Sequence, residues 1–169
     1  MRILACAVLL TFPLACAGTH AGGPAGSDAT VDHVSDGDTI VLADGRHVRL
    51  VQIDAPERTE HECYAEAASR ALESMLPPGT KVALELDPEL DHVDRFGRTL
   101  AYVEKDGVNV NLVLVRRGAA APYFYRGDRG RYAAQLLDAA RTARVNRKGL
   151  WGACPRTRLD PLSQVRAAR

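Results

Sequence analysis

Two β-rich runs meet at Asp44-Gly45, a pair suited to a tight reversal. The first is Thr39–Ala43. On the second, Arg46–Ile53, Val48 and Leu50 alternate with polar neighbours and supply a buried face. A shorter strand, Val31–Val34, precedes them. At Tyr64 the period changes. Tyr64, Ala67, Ala68, Ala71, Leu72 and Met75 recur at helical spacing until Pro77-Pro78-Gly79 stops them. Alternating Val82, Leu84 and Leu86 predict a strand over Lys81–Asp87, and Leu100–Glu104 predicts another, turned by Lys105-Asp106-Gly107. Asn109 or Asn111 can cap a short helix that ends at Gly118. After an extended Ala119–Ala121, a last helix runs over Arg131–Asn146. Its inner side is Tyr132, Leu136, Leu137, Ala140 and Ala143, with Leu150 and Trp151 packed beneath. Five short strands with interposed helices predict an α+β chain: a five-stranded OB-type barrel with about three packed helices.

The 169 residues suffice for one domain with a real core. The first residues read differently. Met1-Arg2, a short apolar stretch to Phe12 and the small-residue run before Gly18 form an export signal over 1–17, with Ala15-x-Ala17 as the cleavage pattern. Leu14-Ala15-Cys16 offers a second reading, lipid attachment at Cys16, which would tether the chain to the cell envelope. The apolar stretch falls short of the roughly 20 residues a spanning helix needs. Residues 18–29 are rich in Gly, Ala, Pro and Ser and read as a flexible linker. The domain then spans 30–154, and 155–169 is a basic, frayed tail.

Charge and cysteine refine this picture. From Gly18 to Val115 there are 8 Lys+Arg against 18 Asp+Glu, and from Arg116 to Arg169 there are 13 against 3. An acidic half suits a cation and a basic half suits a polyanion. Beyond the signal only Cys63 and Cys154 remain, and export predicts one disulfide between them, with two free thiols as the alternative. His33, His47, His61 and His92 have no zinc-ligand spacing to either cysteine.

Candidate chemistry clusters around the hairpin. Asp36-Gly37-Asp38-Thr39 and Arg49–Glu57 bring Asp38 and Asp54 to the same end of adjacent strands. Crowded carboxylates repel unless a cation lies between them, and all-oxygen donors favour Ca²⁺ or Mg²⁺. The carbonyl of Ala55 can add a third ligand, and Asp36 reaches the ion through water at most. Glu57 can take a proton from an attacking water or orient it. By strand alternation Arg49 shares a face with Val51 and Ile53, where it needs an anionic partner. Arg98, in Asp94-Arg95-Phe96-Gly97-Arg98, can join it on a phosphate. Tyr123 and Tyr125, two residues apart, face one way on an extended segment, where rings can stack on bases.

These motifs, with Leu100-Ala101-Tyr102, Val108-Asn109, Arg117-Gly118 and Gly149-Leu150-Trp151, stand in the order and approximate spacing of the staphylococcal nuclease (thermonuclease, micrococcal nuclease) family. The resemblance covers Thr30 to Trp151. It implies an OB barrel with three helices and a Ca²⁺-dependent phosphodiesterase acting on DNA and RNA. It also implies that Asp38, Asp54 and the Ala55 carbonyl hold calcium. Arg49 and Arg98 would bind the scissile phosphate, and Glu57 would be the catalytic carboxylate. Arg95 resembles a basic position near the substrate's terminal phosphate, and Tyr123 and Tyr125 resemble nucleotide-contacting tyrosines. The implied reaction leaves 3′-phosphate ends. Two departures stand out: Ala55 replaces a threonine, and both cysteines are additions. The expectation is a secreted, monomeric nuclease with no protein partner. The rival is a non-catalytic OB-fold nucleic-acid-binding module, which should have lost members of the set Asp38, Asp54, Glu57, Arg49 and Arg98. This chain keeps all five.

Overall fold

A computed structural model describes residues 27–167; the expected export signal over 1–17, most of the expected linker and the last two residues lie outside them. The first strand, β1 (Ser27–Asp36), is longer than the predicted Val31–Val34. Register shifts between Val31 and His33 and between Val34 and Asp36 bend it, so that it serves two partners. Its first residues pair with β5 (Lys81–Glu85) and the rest with β2 (Thr39–Leu42). The hairpin continues to β3 (His47–Leu50), whose parallel pairing with β6 (Thr99–Lys105) closes the barrel; β5 and β6 pair antiparallel. The five-stranded barrel and its helices match the expected α+β OB-type architecture. Asp44 holds the hairpin turn by accepting the Arg46 backbone N–H at 3.0 Å.

The predicted return strand Arg46–Ile53 is broken. Gln52 adopts a left-handed conformation (φ 63°), and the chain resumes as β4 (Ile53–Asp54). The break inverts the side-chain alternation. Ile53 joins Val48 and Leu50 in the barrel core, so Arg49 does not share its face as expected. Asp54 is turned toward Arg49 instead.

Three helices cover the barrel. α1 (Ala65–Met75) buries Ala68 and Leu72 against β1. Short β7 (Val108–Asn109) leads into α2 (Val110–Arg117), which is capped by the Asn109 side chain on Leu112 N–H and ended by left-handed Gly118. β8 (Ala121–Pro122) pairs with β4, and α3 (Ala133–Val145) packs on α2 and β8. Fully buried Leu50, Leu72, Leu114 and Leu136 anchor these contacts, each side chain contributing about 1.5–3 kcal/mol.

A short α4 (Leu150–Ala153) leads to Cys154, which is bridged to Cys63 with a Cα–Cα separation of 6.0 Å. Beyond it the tail does not fray as expected. Val165 and Ala167 are buried with Leu150, Trp151 and Cys154 in a second apolar cluster. Among the described residues no helix is long and apolar enough to cross a membrane.

Candidate active site

Asp38 and Asp54 come from opposite sides of the hairpin and converge on one guanidinium. Arg49 Nη2 lies 2.9 Å from Asp38 Oδ2 and 2.7 Å from Asp54 Oδ1, and Nη1 donates to the carbonyls of Leu50 and Ile53. The β2–β3 register, which pairs Thr39 with Arg49, sets this geometry. The remaining carboxylate positions are also engaged. Asp38 accepts from Ala55 N–H at 2.8 Å and from the Thr39 hydroxyl, while Asp54 Oδ2 accepts from the backbone N–H of Val165 at 2.7 Å. Asp36 accepts the Asp38 N–H at 3.2 Å and so steadies the backbone of that carboxylate. Asp44 belongs to the turn alone.

Beside this cluster opens a cleft of about 410 Å³ lined by Arg49, Glu57, Arg95, Arg98, Tyr123 and Tyr125. The expected arginine and tyrosine positions therefore meet at one surface. Arg98 enters because β6 lies parallel to β3, with Val48 opposite Thr99. Asp94 accepts the Arg98 Nε–H at 2.7 Å and its backbone N–H at 3.0 Å, which aims the guanidinium; its Nη1 reaches Thr39 Oγ1 at 3.5 Å. Arg95 and Arg98 flank the exposed Phe96 ring, at 4.7 and 5.5 Å from its centroid. Tyr123 and Tyr125 both face the cleft with Phe124 buried between them, although Tyr125 already begins a 3₁₀ turn. Glu57 is half-buried at the rim, and its N–H is fixed by Glu62 Oε2 at 2.9 Å.

The electrostatics are lopsided. Burial raises the Asp38 carboxyl well above the usual carboxylate range; Arg49 opposes this, while Asp36 and Asp54 add repulsion. Burial raises Asp54 as well, and Glu57 is raised by burial and by the Asp36 and Asp54 charges. Burial alone would lower Arg49, but Asp38 and Asp54 outweigh it and bind its proton more firmly. One guanidinium is thus shared between two buried carboxylates, with two more acids nearby. Among the described residues no three His, Cys, Asp or Glu side chains gather as a metal site. The donor set still fits a hard cation, because a cation beside Arg49 would favour the ionised form of two carboxyls that burial otherwise pushes toward protonation. Backbone carbonyls and water would have to complete such a shell. The contact the structure gives Ala55 is through its N–H.

Four residues contribute in ways that sequence reasoning did not assign. Gly37 is needed because a Cβ there would lie 2.6 Å from Ala55 Cβ and 3.0 Å from Ala68 Cβ. Gln52 turns the chain between Arg49 and Asp54. Gln164 and Val165 arrive from the tail, and nothing local in their sequence signals it.

Residues 47–153 match the family model described as staphylococcal nuclease homologue. The chain is 34% identical over 153 residues to Endonuclease YhcR of Bacillus subtilis (strain 168), covering 82% of this chain and 12% of that protein. It is 32% identical to the SPbeta prophage-derived endonuclease YokF of the same organism, covering 73% of this chain and 44% of that protein. It therefore spans less than half the length of either. Thermonuclease of Staphylococcus intermedius is 34% identical over 133 residues, covering 75% of this chain and 77% of that one. The barrel, the order of its motifs and these similarities together make the chain a member of the staphylococcal nuclease family.

Proposed function

We propose that the chain is an exported, Ca²⁺-dependent nuclease that hydrolyses phosphodiester bonds of DNA and RNA and leaves 3′-phosphate ends. The observation that carries this reading is the convergence of Arg49, Arg98 and Glu57 on one cleft beside the Asp38–Asp54 carboxylates. The family and the names of its relatives support the nuclease class.

Asp38, Asp54 and the Ala55 carbonyl would hold Ca²⁺, which when bound supplies positive charge to a phosphoryl oxygen and to water. Arg49 and Arg98 would bind the non-bridging oxygens of the scissile phosphate. Arg98 is pre-aimed by Asp94, whereas the terminal N–H groups of Arg49 already serve Asp38, Asp54 and the carbonyls of Leu50 and Ile53, so Arg49 would reach the phosphate through its Nε–H or by exchanging one of these partners. Glu57 would accept a proton from the attacking water or orient it; burial and nearby acids raise its affinity for that proton. Water attacks phosphorus and the 5′ oxygen leaves. Arg95, Tyr123 and Tyr125 would contact the flanking nucleotides. The Cys63–Cys154 bridge supports an oxidising compartment and hence export.

The test is cleavage of plasmid and RNA by the purified chain with Ca²⁺ or with a chelator, beside Glu57→Gln and Arg98→Ala. Ca²⁺-dependent cleavage that falls on the order of 10²–10³-fold in each variant supports the reading. No cleavage by the parent with Ca²⁺, but retained binding of single strands, would establish the non-catalytic module instead.

A further inference from the structure

The segment from Cys154 to Ala167 lies beyond the family match, which ends at residue 153. It nonetheless passes through the candidate active site at Gln164 and Val165. Both of its ends converge on Cys63: Cys154 is bridged to that residue, and the Ala167 carbonyl accepts the Cys63 N–H at 3.1 Å. Between them the Pro161 carbonyl accepts the Phe124 N–H at 2.7 Å, between the two cleft tyrosines. Gln164 lines the cleft, and the Val165 N–H donates to Asp54 Oδ2.

Asp54 is 1% exposed, and each of its oxygens already accepts a donor. A cation that uses this carboxylate must share or displace one of them. Arg49 sits on a barrel strand and is held by Asp38 and two carbonyls besides Asp54. Val165 sits on a tail with three main-chain anchors and modest apolar burial, above a Trp151 whose indole N–H has no partner among the described residues. The Val165 N–H is the donor that can yield.

We propose that residues 161–167 form a strap that holds the cation side of the site closed and is displaced when Asp54 takes up the cation. The proposal rests on the Ca²⁺ reading above. The strap acts as an internal competitor: its N–H places a partial positive charge on the oxygen a cation needs, and Gln164 narrows the cleft that a polynucleotide must enter.

Val165 and Ala167 pack in one cluster with Trp151, the only tryptophan of the chain, so strap release has its own optical signal. The experiment is Ca²⁺ titration by calorimetry, together with Trp151 emission, of the full chain, of Val165→Pro, which removes the N–H, replaces the isopropyl group by a ring and fixes the local φ, and of a chain ending at residue 160. The strap predicts Ca²⁺ binding roughly tenfold tighter in both variants, the scale of one lost charge-assisted hydrogen bond. It also predicts a red shift of Trp151 emission when Ca²⁺ binds the full chain, and none in the truncated chain. Equal or weaker Ca²⁺ binding in the folded variants, or unmoved Trp151 emission in a Ca²⁺-saturated full chain, overturns the strap alone. If both variants prove unfolded, the emission of the full chain decides. Absence of Ca²⁺ binding to all three overturns the cation reading and the strap with it.

Discussion

Two buried polar clusters meet at Gln52, whose backbone joins Arg49 to Asp54 and whose side chain reaches residues 128–130, and they are balanced differently. In the cleft, Asp38 and Asp54 share one guanidinium while Asp36 and Glu57 add negative charge. In the second cluster, Glu85 pairs with Arg131 and accepts the Tyr132 hydroxyl at 3.0 Å. Asp87 accepts the N–H groups of Glu89 and Arg131 and, at 3.4 Å, the Tyr102 hydroxyl. The Gln52 side chain accepts from Gly130 N–H and donates to the Asp128 carbonyl. Each carboxylate there has its donors, drawn from separate elements, and the cluster fastens residues 128–131 beneath the tyrosine rim. The contrast is one of charge density: in the cleft Asp36, Asp38, Asp54 and Glu57 gather about one guanidinium, whereas in the second cluster only Glu85 and Asp87 do. A satisfied polar network adds rigidity, whereas an uncompensated one marks a place for a ligand.

The largest expected effect follows from removing Arg49. Arg49→Met leaves two buried carboxylates without their cation, and breaking a buried pair in this way costs about 3–5 kcal/mol. Urea unfolding in chelator should show that loss. Ca²⁺ should then bind more tightly than to the parent and restore much of the stability, while cleavage falls. Weaker Ca²⁺ binding in Arg49→Met would mean that the guanidinium organises the carboxylates rather than competing for them, and the contrast between the two clusters would fail. Next comes Asp87→Ala, which strands the Arg131 and Glu89 N–H groups. The expected loss is about 1–3 kcal/mol, with Ca²⁺ affinity unchanged within roughly twofold because nothing in this cluster touches Asp38 or Asp54. A large change in Ca²⁺ affinity would show that the two clusters act as one.

Much of the barrel was legible because its signals are local. Asp44-Gly45 carries its own turn chemistry, and Asn109 and Gly118 bracket α2 with standard caps. The candidate site was legible only as two motifs plus a resemblance. Three of its determinants act over long distance or without a residue-type signal. Gln52 turns left-handed although glutamine has no special propensity to do so, and that turn, rather than strand alternation, brings Asp54 to Arg49. Arg98 reaches the cleft through a parallel β3–β6 pairing that sets Val48 opposite Thr99, far apart in the chain. The tail reads as a polar, basic extension because main-chain groups, which carry no residue-type signal, make its contacts: the Val165 N–H donates and the Pro161 and Ala167 carbonyls accept.

The smallest effects come from a matched pair of glycines, one beside each cluster. A Cβ on Gly37 would press on Ala55, whose N–H holds Asp38; a Cβ on Gly130 would lie 2.3 Å from Asp87 Oδ2 and 2.6 Å from the Tyr102 hydroxyl. Overpacking of this kind costs about 1–3 kcal/mol, so Gly37→Ala and Gly130→Ala should lower stability by similar amounts. Their functional consequences should differ. Pushing Ala55 away from Gly37 also moves the N–H that fixes Asp38, so Gly37→Ala should weaken Ca²⁺ binding and cleavage beyond what its stability loss explains. Gly130→Ala disturbs only the complete network, so at temperatures where it stays folded its Ca²⁺ affinity should match the parent. Calorimetric Ca²⁺ titrations at matched folded fraction separate the two. Equal losses of affinity in both variants would mean that the cleft carboxylates depend on general packing rather than on the Gly37–Ala55 contact.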